Sequence, residues 1–168
     1  HNKTRKSLKM ATDLENIQRL LDRFKRPVPP GPIYQNRLAE EFELILNQRF
    51  TDYFIQICDI IDLTTDLTHM TRGSAGSSLV CYLLGITDVD PIEWRIPVAR
   101  FMNPLRDDLP DVDIDFEHWR QTEVMERIFK KWPGMTARLS NYVTYKEKSA
   151  RREAAKRLGA TGNLPRNF

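Results

Sequence analysis

The octapeptide LPDVDIDF, residues 109–116, sets Asp111, Asp113 and Asp115 at alternate positions among Val112, Ile114 and Phe116. In an extended strand successive side chains point to opposite faces, so this spacing gathers the three carboxylates on one face and leaves the apolar residues to bury the other. Neighbouring acids on such a face stand roughly 7 Å apart at Cα, where like charges repel unless water or a cation screens them. Two readings follow. The stretch is a solvated acidic strand face, or it is a row of hard oxygen donors suited to Mg²⁺, which phosphoryl transfer uses to neutralise both ends of the reacting phosphate.

A second stretch with chemistry in it is TRGSAGSSLV (71–80), where Gly73, Gly76, Ser74, Ser77 and Ser78 precede an apolar run. Small residues let backbone N–H groups approach an anion, hydroxyls add donors, and the start of a following helix adds a favourable dipole. Arg72 supplies charge at its edge. The GxxxxGK[ST] pattern is absent, so the stretch is either a phosphate cradle of another kind or a Gly/Ser linker ahead of a helix cap. In RFMNP (100–104), Arg100 either clamps phosphate oxygens bidentately or pairs with a carboxylate such as Asp107 or Asp108. Gly-Ser loop, arginine and acidic strand together are the parts of a nucleotidyl transferase, in which the protein positions a triphosphate for in-line attack by a hydroxyl and neutralises the charge that develops.

Other reactive residue types carry less. His69 and His118 each lack a second histidine at ligand spacing and read as surface or hydrogen-bonded residues. Trp94, Trp119 and Trp132 read as core or rim packing. Cys58 and Cys81 lie in apolar runs without CxxC or Cys/His zinc spacing, which fits reduced thiols of a cytosolic protein.

The elements that must position these residues are mostly helical. Apolar positions Leu14, Ile17, Leu20, Leu21 and Phe24 predict an amphipathic helix over 7–25, followed by the stiff connector RPVPPGP (26–32). Leu38, Phe42, Ile45 and Leu46 predict a second helix over 34–50. The apolar run 52–63 suits a strand or a buried helix equally, and 64–78 reads as a loop. A short buried helix over 77–85 ended by Gly85, a turn at ITDVDP and a short helix near 97–102 lead to the acidic strand. A helix over 118–132 stopped by Pro133-Gly134, a second strand over 137–145 and a basic helix over 146–159 complete the expected order, without internal repeats.

At 168 residues, 40% hydrophobic and 29% charged, the chain is long enough to bury a core of its own. The net charge of +3 gives no general excess for polyanions, but it is unevenly spread: HNKTRKSLK and KEKSARREAAKR hold bases near the ends, while 107–117 holds six acids and no base. That distribution suits a phosphate-rich partner and metal ions. No apolar stretch approaches the ~18 residues of a membrane span, and no export signal opens the chain. A first residue of His1, without an initiator Met, predicts a fragment of a longer chain.

In combination the segments RGSAGSSLVCYLLGITDVDPIEW and RFMNPLRDDLPDVDIDF resemble the palm of the C-family bacterial replicative DNA polymerases, the alpha subunit of DNA polymerase III. YQNRLAEEFELILNQRFTDYF is similar to that family's helix and GYF turn, and YVTYKEKSARREAAKRLG to its basic helix, so the resemblance spans about residues 34–159. It implies an α+β fold, a partial nucleotidyltransferase palm of the polymerase-beta-like kind with a mixed sheet and packed helices. The division it implies is 1–33 as a helix with a Pro-rich connector and 34–168 as the partial palm. The implied reaction is template-directed DNA synthesis, two-metal transfer from dNTP to a primer 3′-OH. Asp111 and Asp113 resemble two of three metal-binding catalytic carboxylates, with Asp115 a supporting acid near the metal. Arg72, Gly73, Ser74, Gly76, Ser77 and Arg100 resemble the triphosphate-binding set, and Arg152 and Lys156 approach nucleotide or DNA. Mg²⁺, dNTP, primer-template DNA and the remainder of the polymerase or replisome are the implied cofactor and partners, in a bacterial or phage cytoplasm at the nucleoid, with no membrane.

Two departures stand out. The family's GPGRGS is here HMTRGS, and no aspartate follows Asp115 to supply the family's downstream third carboxylate. Glu147 and Glu153 sit at helical positions ill suited to that role. The chain alone is therefore expected to be catalytically incomplete. The alternative is a degenerate palm acting as a non-catalytic nucleic-acid or replisome-binding module; a self-sufficient transferase would need its own third acid.

Overall fold

A computed structural model describes residues 2–105, 108–139, 142 and 144–159, with backbone alone for 2–9. In order these form α1 (Asn2–Leu21), α2 (Pro32–Gln48), α3 (Thr51–Asp62), β1 (His69–Arg72), a 3-10 turn (Gly73–Ser77), α4 (Leu79–Leu83), a 3-10 turn (Val98–Arg100), β2 (Asp113–Phe116), a 3-10 turn (His118–Arg120), α5 (Gln121–Lys131) and α6 (Glu147–Arg157). They fall into two compact units, His1–Pro133 and Gly134–Phe168.

The first unit is built on α2 and α3. Gly31, at φ 124, turns the connector and Pro32 opens α2, where a missing N–H costs nothing. Arg49 ends the helix in the left-handed conformation at φ 60, and the Phe50 amide donates to the Ile45 carbonyl at 2.9 Å, closing the last turn. The run 52–63, open to either structure by its pattern, is helical. Phe54, Ile57, Cys58 and Ile61 fall on one buried stripe at helical spacing. They pack with Leu20 of α1, Phe42 and Ile45 of α2, Val80 of α4 and Phe101 in one core. Ion pairs fix the approach of α1: Arg19 to Asp52 at 2.8 Å, Arg23 to Asp59 and Asp62 at 2.8 Å each, and Lys25 to Asp62 at 2.7 Å. Partly exposed pairs of this kind set orientation more than they add stability. α1 stops at Leu21, short of the expected residue 25, because the Lys25 and Arg26 amides turn to the Leu83 carbonyl at 2.8 and 3.1 Å.

Three expectations are corrected. Residues 64–78 are not all loop: His69–Arg72 form β1, paired antiparallel with β2 in the register His69 to Phe116, Met70 to Asp115, Thr71 to Ile114 and Arg72 to Asp113. In place of a mixed sheet, the described residues form a single two-stranded antiparallel ladder. In 137–145 the described residues 137–139, 142, 144 and 145 are in no strand, while 140, 141 and 143 lie outside the described set. Leu139 and Tyr142 stand 99% and 95% exposed, so these two apolar side chains of the stretch give a ladder no buried contact.

Ile114 and Phe116 of β2 and Val112 just before it face the interior side, where with Val124, Met125 and Ile128 of α5 they border an apolar groove of about 380 Å³. The second unit contains α6, which buries no residue and carries the i,i+4 pairs Arg151–Glu147 and Arg157–Glu153.

Candidate active site

The acidic face is set by the pleat of β2 and the extended residues leading into it. From Asp111 to Phe116 the residues alternate exposed and partly buried, with Val112 and Ile114 packed against the core. The three aspartates therefore share the solvent side. Arg72, opposite Asp113 on β1, reaches diagonally so that its Nε lies 2.6 Å from Asp115 Oδ2, with Nη1 3.9 Å from Asp113 Oδ2. The two carboxylates hold its guanidinium above the ordinary arginine value, Asp115 most strongly through the hydrogen bond. Like charges on this face are thus relieved by an internal cation, in contacts about half open to water.

β1 runs directly into the Gly73–Ser77 turn. Gly73 has φ +82, and a Cβ placed there would lie 3.2 Å from Asp113 Oδ2. Glycine suits this backbone conformation, and a Cβ would press the Asp113 carboxylate back by a few tenths of an ångström. Within the turn the Ser77 hydroxyl donates to the Ser74 carbonyl at 2.6 Å, and Ala75 is fully buried beneath it. Ser77 thus shapes the turn with the only proton its hydroxyl carries.

Residues of all three motifs meet in a cleft of about 80 Å³, bordered by Ser74 of the turn, Arg100 of RFMNP and Asp111 of the acidic stretch. Asp108 also borders it, while Asp107 lies outside the described residues. The junction of α2 and α3 holds this wall. Tyr53 donates its hydroxyl to the Pro110 carbonyl, next to Asp111, and Gln48 Nε2 donates to the Asn103 carbonyl at 2.9 Å. Burial, with smaller contributions from Cys81 and Asp111, pushes the Tyr53 phenol up to about 12, so it stays a donor.

The start of α4 was expected to lend its dipole to an anion. It is already taken. Glu41 of α2, fully buried, accepts from the Leu79 amide at 2.8 Å, the Val80 amide at 3.0 Å and the Ser78 hydroxyl at 2.7 Å. Arg37 Nε lies 2.7 Å from the same carboxylate, and Arg37 Nη2 donates to the carbonyls of Ser77 at 2.6 Å and Ile96 at 2.9 Å. The sequence carried a signal for this: Glu41 interrupts the apolar stripe Leu38, Phe42, Ile45 at a core position, with Arg37 one turn before it. Tyr53 carried none beyond its place in an apolar run.

The remaining candidates lie elsewhere. Arg152 and Lys156 are exposed on α6, in line with Lys148 at successive i,i+4 positions. His69 packs beside the Phe116 ring, centroids 5.9 Å apart, and His118 is exposed. Trp94 and Trp119 are not packed into the core but stand 69% and 77% exposed. Cys58 and Cys81 are buried and free, and burial pushes both thiols up, Cys58 to about 11. Among the described residues no three Asp, Glu, His or Cys side chains converge on one point.

Residues 7–167 match the family model of the bacterial DNA polymerase III alpha NTPase domain. The chain belongs to the bacterial DNA polymerase III alpha family. Among its curated relatives, the error-prone DNA polymerase of Cutibacterium acnes is 39% identical over 131 residues, covering 76% of this chain and 12% of that protein. Error-prone DNA polymerase 1 of Rhizobium meliloti is 35% identical over 164 residues, covering 91% of this chain and 14% of its own length. The error-prone DNA polymerase of Nocardia farcinica is 37% identical over 140 residues, 82% of this chain and 12% of that protein. The chain thus spans about one eighth of the length of these relatives.

Proposed function

We propose that this chain is part of the palm of a DNA polymerase, residues 34–168 of it within a polymerase-beta-like nucleotidyltransferase fold, with 1–33 as helix and connector, and that it contributes to transfer of a dNTP onto a primer 3′-OH. The observation that carries the reading is the cleft shared by Ser74, Arg100 and Asp111, adjoining the face of Arg72, Gly73, Asp113 and Asp115.

The donor chemistry fits Mg²⁺. Asp111 and Asp113 offer hard carboxylate oxygens on one exposed face, and Mg²⁺ commonly takes one or two carboxylates, waters and substrate phosphates rather than a full protein cage. Asp111 and Asp113 would hold it, with Asp115 in support. When bound, the ion lowers the charge on the triphosphate and favours an oxygen nucleophile. Arg72 can exchange its carboxylate partners for phosphate oxygens, the turn at Gly73, Ser74 and Gly76 would offer backbone amides to the triphosphate, and Arg100, which borders the same cleft, would add a bidentate donor. Ser77 keeps the turn's shape. Catalysis then requires a further carboxylate from the rest of the polymerase, since no aspartate follows Asp115.

Isothermal titration of the purified chain with dATP is expected to give Mg²⁺-dependent binding that Asp111→Ala or Asp113→Ala weakens at least tenfold, with no primer extension. Binding that survives both substitutions unchanged, or needs no Mg²⁺, sinks the catalytic reading. The exposed row Lys148, Arg152 and Lys156 favours a second reading, a nucleic-acid-binding module without catalysis. Under that reading duplex DNA binds with steep salt dependence and the aspartate variants bind as tightly as the parent.

A further inference from the structure

We propose that Glu41, held by Arg37, is a positioning residue that sets the Gly73–Ser77 turn on which a triphosphate would sit. The inference rests on the reading of that turn as triphosphate-binding and assigns it a residue from a separate helix, 32 or more positions earlier in the chain.

Helix starts attract anions because their first amides lack internal partners. At α4 the first amides lie out of water, with Ser78, Leu79 and Val80 fully buried, so they need a partner from within the chain. Glu41 is that partner. Its Oε1 takes the Leu79 amide and its Oε2 takes the Val80 amide and the Ser78 hydroxyl, so the donors at the start of α4 are satisfied by a carboxylate of the chain itself. A second anion there would meet a buried negative charge. The pair also holds the turn by its far end. Arg37 Nη2 grips the Ser77 carbonyl and Glu41 grips the Ser78 hydroxyl, which caps the Cys81 amide at 3.1 Å. With its last residues fixed against α2, the turn has its near end, at Gly73, left to face Asp113.

This arrangement is a designed internal counter-ion rather than a surface ion pair, since Glu41 is fully buried and Arg37 is only 13% exposed. A buried carboxylate persists only with its hydrogen bonds filled, and these are filled by the turn and helix the site depends on.

The test is heteronuclear NMR of the ¹⁵N-labelled chain, titrated with Mg²⁺ and dATP and, separately, with Mg²⁺ and inorganic tripolyphosphate. In the parent protein the Gly73 and Gly76 amide signals move on titration while Leu79 and Val80 do not. Glu41→Gln keeps the shape but turns an amide donor toward backbone donors. It is expected to move the Gly73, Ser74 and Gly76 signals without ligand and to raise the dissociation constant about tenfold. Ile45→Val on the same helix lowers the melting temperature but leaves the constant unchanged, which separates positioning from loss of stability. Should the Gln variant not fold, Glu41→Asp, with its charge kept and its reach shortened, is expected to give the same displacement and weakening. Unshifted turn signals with parental affinity in the folded variant overturn the proposal. Absence of any shift at Gly73 and Gly76 in the parent instead overturns the triphosphate reading, and the ligand-free spectra of the variant then decide the positioning of the turn separately.

Discussion

Gly73 shows how narrowly the site is drawn at the level of single residues. Its φ of +82 is costly for any side chain, and a Cβ there would press on the Asp113 carboxylate at 3.2 Å. Gly73→Ala is expected to lower stability by about 1–2 kcal/mol, from the backbone conformation. It should weaken Mg²⁺-dATP binding by more than that destabilisation explains, a comparison that thermal melts and titration make directly. That these acids share one face was legible in the sequence, because alternation of charged and apolar residues maps onto a pleat; a chemical role was not, since a solvated strand face carries the same pattern. Glu41 was not, although its intrusion into an apolar stripe was visible: pattern says that a buried acid needs partners, but not that those partners are the amides of a helix 38 positions away. The aspartates' partner Arg72 was also out of reach, because its contact with Asp115 depends on a strand register that no local pattern specifies.

At the level of elements, what the sequence left open was decided by packing. The run 52–63 is helical because Leu20, Phe42 and Ile45 offer it a helix-shaped wall, and β1 exists because β2 supplies its main-chain partners. HMTR by itself has little to recommend it as a strand, yet all four of its residues pair in register with β2. The site's outlying support is electrostatic. α5 is tied to the end of α3 by Arg127, which donates to both carboxylate oxygens of Asp66, to the Leu63 carbonyl and to Glu123. That guanidinium holds the Asp66 carboxyl down to about 2, from an ordinary 3.8. Because the folded value lies below the unfolded one, the contribution is full above about pH 4 and is lost as pH falls toward 2. Asp66→Asn is therefore expected to lower the urea midpoint at pH 6 and to leave it nearly unchanged at pH 2, and denaturation curves at the two pH values check this. Equal losses at both would show that the pair does not act through its charge.

For the whole molecule, the order of motifs along the chain was more informative than any one of them. A Gly-Ser turn, an arginine and an acidic strand each had an ordinary alternative explanation, and only the fold brings Ser74, Arg100 and Asp111 to one cleft. The division at Pro133 was not legible in the same way: the Pro-Gly pair marked the end of a helix, whereas the separation into two compact units depends on which residues pack together within each.

The two-stranded ladder has a consequence for handling the protein. Among the described residues β1 and β2 are each other's sole strand partners, so each keeps an outer edge of backbone groups able to pair with another copy. Charge on the face guards those edges. Asp113 and Asp115 leave an excess of negative charge beside Arg72, which repels a like sheet brought alongside. The acids proposed for chemistry are thereby expected to guard solubility as well. Replacing both, Asp113→Ala with Asp115→Ala, is expected to raise light scattering at low salt and neutral pH while the helical circular dichroism persists; a double variant as monodisperse as its parent would remove that second duty from them.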